Sequence, residues 1–430
     1  MVNSAKRTGF SRRRFLAATA AVAGTAIAPH VMGANGRRVV IVGGGFGGAT
    51  CARYLKSLDA SLDVLLIERS PVFVTCPFSN LVLAGLDDMA SITHGYDGLR
   101  QAGVRVQHGI ASDIDADRRR VHLAGGQHVT YDRLVLSPGI DLRFDAVPGY
   151  DRVAAEVLPH AWKAGKQTLL LRRQLEAMPD GGVVILAAPA NPFRCPPGPY
   201  ERASLIAHYL KQHKPKSKIL LLDAKDKFSK QGLFQQGWKN LYGDMIEWVA
   251  GSEGGIVEQV RAHGRTLVTE SGFTEHKGDV INFIPPQHAG VIARSNGLTD
   301  AQGWCPVDQG TFESSLVPGV HVIGDAAIAG KMPKSGFAAN SQAKVCAAAI
   351  VNSLSGREVL QPSYANTCYS LVGPEYGISV SAVYRAETGA ILPVEGAGGV
   401  SPMAADAEFR GLEARYARGW YKTITADIWG

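Results

Sequence analysis

Residues 39–68 read VVIVGGGFGGATCARYLKSLDASLDVLLIE, and this stretch decides the fold. It opens with an apolar run, residues 39–42, which is typical of a strand buried on both faces of a parallel sheet. A helical pattern follows, and its start carries glycines on a G-x-G-x-x-G spacing, namely Gly43, Gly45 and Gly48. A second apolar run ends in Glu68, about 20 residues beyond the last glycine. This order of strand, glycine turn, helix, strand and acid indicates a dinucleotide-binding βαβ unit.

Each glycine has a physical task in such a unit. Gly43 makes the tight turn, Gly45 lets a pyrophosphate approach the backbone, and Gly48 lets the helix pack closely on the strand. The N-terminus of the helix supplies free N–H groups and a positive dipole end for the phosphates. Glu68 stands where the carboxylate that binds a ribose hydroxyl is expected.

The bulk composition fits a globular α/β enzyme. The chain has 430 residues, 46% of them hydrophobic and 19% charged, which indicates two or three folded domains. The formal charge is +7, but the five basic residues of positions 1–34 leave only +2 for the remainder. That remainder gives no case for binding nucleic acid.

The N-terminus has the features of an export signal. Residues 11–16 read SRRRFL and resemble the twin-arginine motif. An alanine-rich apolar stretch follows over residues 16–28, and residues 32–34 offer a small-residue cleavage site. We therefore expect residues 1–34 to be a twin-arginine signal peptide and the protein to act in the periplasm; a basic, disordered tail is the alternative. The apolar stretch is too short to span a bilayer well, so no stable membrane insertion is expected.

Two later segments complete the pattern of a flavoprotein. Residues 131–139 read YDRLVLSPG and resemble the YD-x-hhh-A-T-G segment of flavoproteins with two dinucleotide domains, with Ser-Pro in place of Ala-Thr and Gly139 at the end. Residues 318–326 form a hydrophobic strand ending in Gly-Asp, and Asp325 is the residue that binds the ribityl chain in this second signature.

A long alanine-rich helix is predicted after this signature. Lys334 and Ser335 precede it, and its N-terminus could face the flavin and stabilise negative charge on the reduced ring. The FAD-binding domain is therefore expected to be split between residues 35–148 and residues 284–356.

A second strand–loop–helix unit lies between these halves. Residues 181–187 read as its strand, but the following turn, residues 187–201, carries bulky residues and five prolines. Pyridine-nucleotide reductases have a second glycine fingerprint here, where backbone cradles a pyrophosphate. Residues 149–283 are therefore expected to form an NAD-binding-like domain with a degenerate nucleotide site. Residues 357–430, rich in Tyr and Trp, form a third region.

Beyond these motifs, residues 38–430 closely resemble the flavoprotein subunit of flavocytochrome c sulfide dehydrogenase. The most specific stretches are FRCPPGPYERA at 193–203, HAWK at 160–163, WCPVD at 304–308, PKSG at 333–336 and NTCYS at 366–370. The resemblance implies an α/β fold with two Rossmann-like, glutathione-reductase-like domains and a C-terminal α+β domain that contacts a cytochrome. Sulfide:quinone oxidoreductases are the broader relatives.

The family implies roles for three of the six cysteines. Cys76 matches the position that carries FAD through a cysteinyl thioether; a buried, small apolar cysteine is the alternative. Cys195 and Cys368 match a redox-active disulfide beside the flavin; a structural disulfide or two separate thiols are the alternatives. Cys51 and Cys346 lie in predicted helices and are expected in the core, and Cys305 is assigned a structural role.

The resemblance implies a reaction in which hydrosulfide opens the cysteine disulfide and electrons pass through FAD to haem. Glu201, six positions past Cys195, is the candidate for proton transfer, with a solvated surface carboxylate as the alternative. Lys334 would favour the anionic reduced flavin if it lies over the ring. The sequence has no C-x-x-C-H haem motif and no metal-ligand spacing, so the haem is expected on a c-type cytochrome subunit.

Three alternative functions remain open from the sequence. A sulfide:quinone oxidoreductase would need a membrane-facing C-terminal surface, a non-catalytic flavin protein would not need the cysteine pair, and an NAD(P)H-dependent reductase would need the second glycine loop. In the tail, residues 409–430, charged and aromatic side chains are expected to cover a partner subunit rather than lie on a membrane; they are Arg410, Arg415, Tyr416, Arg418, Trp420 and Trp429.

Overall fold

A five-stranded parallel sheet carries the glycine loop. The computed structural model describes residues 36–387 and 389–430, so the expected signal peptide lies outside the described residues. In spatial order the strands are Val320–Val322, Arg133–Leu136, Arg38–Val42, Asp63–Glu68 and Arg105–His108. All five come from the two segments assigned to the FAD-binding domain.

Two helices pack against each other and belong to the same hydrophobic core as this sheet. They are Phe46–Leu58, which follows the glycine loop, and Gly336–Leu354. Cys51 and Cys346 are both fully buried in these helices, which confirms their prediction as core residues. Shorter helices of this region are Ser79–Ala84, Asp97–Gln101 and Val291–Ser295, with a 3-10 turn at Gly324–Ala326.

Small antiparallel sheets border the parallel one. A three-stranded meander consists of Ala111–Asp115, Arg120–Leu123 and His128–Thr130, with Gly125 and Gly126 in the turn between the last two strands. Two-stranded pairs join Phe73–Val74 with Thr93–His94 and Ile140–Leu142 with Gln287–Ala289.

The central region repeats the parallel βαβ plan. Its four strands, in spatial order, are Ile246–Val249, Lys218–Asp223, Val183–Ala188 and Val280–Phe283. Its helices are Ala154–Val157, Lys166–Ala177, Gly198–His213 and Gln231–Tyr242. An antiparallel sheet of Gln259–Arg261, Thr266–Thr269 and Thr274–Lys277 follows, with 3-10 turns at Gly251–Glu253 and Glu270–Gly272.

The C-terminal region is an antiparallel sheet with one long helix. The strands are Ser363–Gly373, Tyr376–Glu387 and Ala390–Val400, and the helix is Ala407–Trp429. Within the first strand pair, Cys368 lies opposite Val380 and Ser370 opposite Ile378. Two Rossmann-like domains followed by an α+β region confirm the predicted fold class.

The C-terminal helix packs inward more than its composition indicates. Arg410 is 1% exposed because it pairs with Glu413 at 3.3 Å and donates to the Pro402 carbonyl, and Trp429 is 5% exposed. Trp420 is half-buried and lines a cavity that is partly open to solvent, so the expectation for it stays a prediction. The expectation of a side chain that faces a partner or membrane is wrong for Arg410 and Trp429. Three others are exposed as expected: Arg415, Tyr416 and Arg418.

Within the described residues, no helix combines the length and apolar character needed to cross a membrane.

Candidate active site

The glycine loop has no room for side chains at two of its positions. Gly43 has φ +101°, and a Cβ there would lie 2.3 Å from the Ser137 carbonyl oxygen. A Cβ at Gly48 would lie 1.8 Å from the carbonyl oxygen of Gly43, so the helix reaches the strand only because this residue is glycine. At Gly45, which precedes the helix, a Cβ would meet the Phe73 ring at 3.0 Å. The loop is therefore a cradle of bare backbone.

Glu68 closes the side of this cradle. Its two carboxylate oxygens accept hydrogen bonds from the backbone N–H groups of Gly44 at 2.7 Å and Ser70 at 3.0 Å. The Tyr96 hydroxyl is buried beside Gly44 and has no hydrogen-bond partner among the described residues. Burial and the nearby Glu68 raise the pKa of Tyr96, so the group stays a neutral donor. An orphaned hydroxyl beside a bare glycine loop fits a bound dinucleotide.

The end of the C-terminal helix covers the same loop. The Trp429 indole N–H donates to the Gly44 carbonyl at 3.3 Å. Its ring stacks on Phe73 at 5.3 Å and on His94 at 4.9 Å between centroids. Residues from the far end of the sequence thus complete the dinucleotide site.

A single cavity brings together the sulfur and acid residues that the sequence analysis singled out. Its empty volume is about 860 Å³, part of it open to solvent. Three cysteines, one acid, the residue that caps a helix, two tryptophans and two arginines are among the residues that line it: Cys76, Cys195, Cys368, Glu201, Ser335, Trp162, Trp420, Arg194 and Arg202. The indole N–H groups of both tryptophans are buried without partners among the described residues, which leaves donors for a ligand.

Cys195 lies in the proline-rich loop just before the helix Gly198–His213. Its backbone is left-handed, with φ 58°, and its N–H donates to the Lys334 carbonyl at 2.7 Å. A Cβ on Gly198 would lie 3.0 Å from the Cys195 sulfur, so a glycine keeps this sulfur free of contact. Burial, then Cys368 and Glu201 nearby, raise the pKa of the Cys195 thiol.

Cys368 is held from the opposite side by the C-terminal sheet. The Asn366 amide donates to its sulfur at 3.4 Å, and the same amide's oxygen accepts from the Ser335 hydroxyl at 2.6 Å. Ser335 also caps the helix Gly336–Leu354 by accepting from the Ala338 N–H at 3.0 Å. One chain of hydrogen bonds therefore ties the helix N-terminus to the cysteine.

Cys76 and Arg194 share one acceptor. The Cys76 thiol donates to the Trp162 carbonyl at 3.3 Å, and the Arg194 guanidinium donates to the same oxygen. Burial would lower the pKa of Arg194, but Cys76, Asp325 and Cys195 beside it raise that pKa above its ordinary value. The guanidinium therefore remains a fixed positive charge between the cysteines and the aspartate.

Glu201 lies under the cavity and is not a solvated surface carboxylate. Its oxygens accept from the Asn80 amide at 2.9 Å and from the Leu371 N–H at 2.8 Å. Burial raises the pKa of Glu201 despite these donors and despite Lys230 and Arg202 nearby. A carboxyl with a raised pKa next to a sulfur is suited to exchanging a proton.

The Gly-Asp signature lies beside Arg194, and its Asp325 is not among the residues that line the cavity. Burial raises the pKa of Asp325 even though the Arg194 guanidinium approaches it to 3.9 Å. The Lys334 ammonium donates to the backbone carbonyls of Asp325 and Ala327 at 2.7 and 2.9 Å and lies 3.8 Å from the centre of the Trp304 ring. Lys334 is thus a half-buried, fixed group; burial lowers its pKa to about 8.

Gly139 has φ +63°, and its carbonyl accepts a hydrogen bond from the Gly290 N–H, so it joins the two halves of the FAD region.

The second nucleotide loop is filled by the chain's own side chains. Asp223, which ends the second strand of the central sheet, is fully buried and accepts from the Tyr200 hydroxyl at 2.6 Å and the Trp248 indole at 3.1 Å. Lys225 pairs with the same carboxylate at 2.5 Å. The Phe228 ring stacks on Tyr200 at 3.6 Å. Asp223, the carboxylate that would bind the ribose of a nicotinamide dinucleotide, is therefore buried and already paired with the chain's own side chains.

Several site residues were not assigned a role from the sequence, although most lie in quoted motifs. Arg194 and Arg202 belong to FRCPPGPYERA, Trp162 to HAWK and Asn366 to NTCYS. Arg202 is 3% exposed and donates to the Asn80 oxygen at 3.0 Å. Lys230, which donates to the Cys368 carbonyl at 2.9 Å, carried no sequence signal at all.

The remaining cysteine, Cys305, is fully buried in the core, and burial raises its pKa to about 12. It does not line the cavity. All six cysteines are thiols in this structure. In the described part of the chain, no three His, Cys, Asp or Glu side chains cluster as a metal site.

This fold and this cavity define a flavin-dependent oxidoreductase with two dinucleotide-binding domains. Residues 37–173 match the pyridine nucleotide-disulphide oxidoreductase family. Residues 168–285 match the central region of the sulfide dehydrogenase (flavocytochrome c) flavoprotein chain, and residues 360–429 match the flavin-binding region of flavocytochrome c sulphide dehydrogenase. The chain belongs to the family of flavocytochrome c sulfide dehydrogenase flavoprotein chains, and these domains bind FAD.

Individual relatives agree with this assignment. A sulfide dehydrogenase flavoprotein chain of Chlorobaculum thiosulfatiphilum is 63% identical over 46 residues, which is 96% of that short sequence and 11% of this chain. The mitochondrial sulfide:quinone oxidoreductase of Mus musculus is 21% identical over 68% of this chain and 66% of its own length. The crystal structure of the sulfide:quinone oxidoreductase of Aquifex aeolicus superimposes with a TM-score of 0.72 at 18% identity, covering 91% of this chain and 92% of that one.

Proposed function

We propose that this protein is the flavoprotein subunit of a periplasmic sulfide dehydrogenase. It oxidises hydrosulfide through a Cys195–Cys368 disulfide and FAD and passes the electrons to a c-type cytochrome subunit. The observation that carries the proposal is the common cavity of Cys76, Cys195, Cys368 and Glu201. The family match and the sulfide-oxidising relatives support the substrate.

The cavity supplies what the first chemical step needs. Hydrosulfide attacks one sulfur of the disulfide, a thiolate leaves on the other, and a persulfide remains. The half-buried Arg194 and the buried Arg202, both beside the cysteines, favour entry of an anion over a neutral species. Glu201, with its raised pKa, holds the proton that is exchanged with the sulfur.

FAD, when bound, accepts the electron pair from sulfur and returns single electrons. The residues that would hold it are the bare glycine loop, Glu68, Asp325 and the N-terminus at Ser335. Cys76 lines the same cavity, and the family resemblance makes it the residue that would carry the flavin through a thioether. Trp162 and Trp420 present unpartnered indole N–H groups to the same space.

The electron acceptor is a separate question from the donor. The sealed carboxylate of Asp223 argues against NAD(P)H at the second loop. The exposed side chains of Arg415, Tyr416 and Arg418 offer a basic, aromatic surface for a partner cytochrome. The twin-arginine-like N-terminus supports export with FAD already loaded.

The testing experiment is anaerobic addition of sulfide to the purified, FAD-loaded protein while the visible flavin band is followed. We expect prompt bleaching and recovery on adding oxidised cytochrome c. Cys195→Ser and Cys368→Ser should each abolish bleaching, whereas Cys305→Ser should not. Bleaching by NADH but not by sulfide would contradict the proposal.

Sulfide:quinone oxidoreductase activity is the second candidate, because the relatives that align over most of this chain carry that name. Recovery of the flavin band with a soluble quinone but not with cytochrome c would favour it.

A further inference from the structure

A lysine that the mechanism above does not use lies under the cysteine pair. Lys230 stands at the start of the helix Gln231–Tyr242 in the central region, has a left-handed backbone with φ 61°, and is 8% exposed. Its ammonium donates to the Cys368 carbonyl at 2.9 Å, the Ser370 hydroxyl at 2.8 Å and, more weakly, the Ile378 carbonyl at 3.5 Å. Its side chain therefore crosses from the central region into the C-terminal sheet.

These three acceptors are neutral, which leaves the charge itself unexplained. Among the described residues, no carboxylate lies within 4.0 Å of the Lys230 ammonium as an ion-pair partner. A buried charge without a counter-ion is unfavourable, so a neutral donor would serve better if only strand positioning were required.

The acidic groups that face Lys230 are Cys368, Glu201, Cys195 and Glu413. Both oxygens of Glu201 already accept hydrogen bonds, from Asn80 and Leu371. Glu413 is bound by the Ser379 hydroxyl at 2.7 Å and paired with Arg410. Cys195 already has the Arg194 guanidinium beside it. Cys368 is therefore the group in this set whose negative charge would still lack a partner. Although burial lowers the pKa of Lys230 to about 8, the side chain remains a cation at neutral pH.

The two cysteines do not share this environment equally. Cys368 receives the Asn366 amide on its sulfur and has the lysine bound to its own carbonyl. At Cys195, burial and the nearby Cys368 and Glu201 raise the pKa of the thiol despite the Arg194 guanidinium beside it. The contacts thus place the buried Lys230 cation on the Cys368 side of the pair.

We propose that Lys230 is a positioning residue that supplies the buried counter-charge for a Cys368 thiolate, and that hydrosulfide consequently attacks Cys195. In this step the hydrosulfide sulfur bonds to the Cys195 sulfur, the disulfide breaks, and its electron pair leaves on Cys368. The products are a Cys195 persulfide and a Cys368 thiolate, with one negative charge before and after. This inference rests on the proposed function, because it requires the cysteine pair to form a disulfide.

The test is a redox titration of the FAD-loaded protein against thiol–disulfide buffers, with the state of the pair read by mass spectrometry after alkylation. Lys230→Met should lower the equilibrium constant for reduction at least tenfold, a shift of about 30 mV to more negative potential. The pH midpoint for alkylating Cys368 in the reduced protein should rise. Lys230→Gln, which keeps an N–H donor without the charge, should behave in the same way and guards against a variant that fails to fold.

A matched control tests whether the effect depends on the position of the buried lysine beside the cysteines. Lys214 is also 8% exposed, and its ammonium donates to the carbonyls of Glu176 and Met178; none of these three residues lines the cavity. Lys214→Met should leave the potential and the alkylation midpoint unchanged. After one equivalent of sulfide, the wild-type protein should carry the alkyl label on Cys368 and the persulfide on Cys195.

Two results would overturn the inference. One is a folded, FAD-loaded Lys230→Gln protein with the wild-type potential and midpoint; the other is the reverse pattern of label and persulfide. Absence of any reducible Cys195–Cys368 pair in the wild-type protein would overturn the proposed function itself, and the two failures are therefore distinguishable.

Discussion

The Glu201 carboxylate accepts a hydrogen bond of 2.8 Å from the backbone N–H of Leu371, which joins a helix of the central region to the C-terminal sheet. Because burial raises the pKa of Glu201 above 4.5, the unfolded chain loses this proton first as the pH rises. Stability should therefore fall as the pH increases from about 4.5 through the folded-state pKa. We expect the free energy of unfolding of Glu201→Gln, measured in urea relative to the wild-type protein, to improve over this interval. A difference independent of pH would contradict the expected raised pKa.

The same substitution should slow the reaction with sulfide. Glutamine keeps the shape of the side chain but cannot exchange a proton, so sulfide-dependent flavin reduction in stopped-flow should slow by about 10² to 10⁴. Asp223→Asn is the control, because Asp223 is a buried carboxylate that lies at the second nucleotide loop and does not line the cavity. Equal rates for Glu201→Gln and the wild-type protein would exclude proton transfer by Glu201.

Gly48→Ala should abolish FAD binding. The new methyl group would lie 1.8 Å from the Gly43 carbonyl oxygen, so the helix must move away from the strand and open the phosphate cradle. We expect the ratio of flavin to protein absorbance to drop to near zero. Gly419→Ala is the matched control: it has open space around its Cβ, lies on the exposed face of the C-terminal helix, and should gain about 0.5–1 kcal/mol. Normal FAD content in Gly48→Ala would show that the cradle tolerates the displacement.

Trp429→Ala should weaken both stability and FAD retention. The indole is buried against Phe73 and His94 and bonded to Gly44, so its removal leaves a cavity that should cost about 3–5 kcal/mol. Thermal unfolding and FAD content after dialysis measure the two effects. Tyr416→Ala, at a 58% exposed position of the same helix, should change neither quantity.

Cys76→Ser should make the flavin removable by acid or denaturant. The wild-type chain is expected to retain the mass of FAD in denaturing mass spectrometry, and the serine variant should lose it, because a hydroxyl does not replace the thiolate in forming the thioether. Cys305→Ser, at a buried cysteine away from the cavity, should keep the added mass. A wild-type chain of unmodified mass would refute covalent attachment.

Features set by neighbours in sequence were predictable, and those set by the fold were not. The cradle follows from Gly43, Gly45 and Gly48 because their spacing fixes a local turn. Cys195 and Cys368 were paired through the family resemblance, since nothing in their spacing brings them together. Lys230 left no trace in the sequence, because a buried lysine there can be recognised only by what it contacts.

The C-terminal helix was misjudged for a related reason. Its composition indicated a charged outer surface, but Arg410 and Glu413 lie three residues apart and neutralise one another in the interior. Net charge does not reveal which face of a helix is buried. The buried positions Tyr421, Ile424 and Ile428 follow a helical period that would have indicated the inward face.

The hydrogen bond between Trp429 and Gly44 spans 385 positions of sequence. During synthesis, the strand and glycine turn emerge first, but the end of the C-terminal helix can cover them only once residue 429 has left the ribosome. Any FAD captured earlier would sit in a half-built site and could escape. We therefore expect the completed tertiary structure, rather than the nascent Rossmann unit, to retain the flavin.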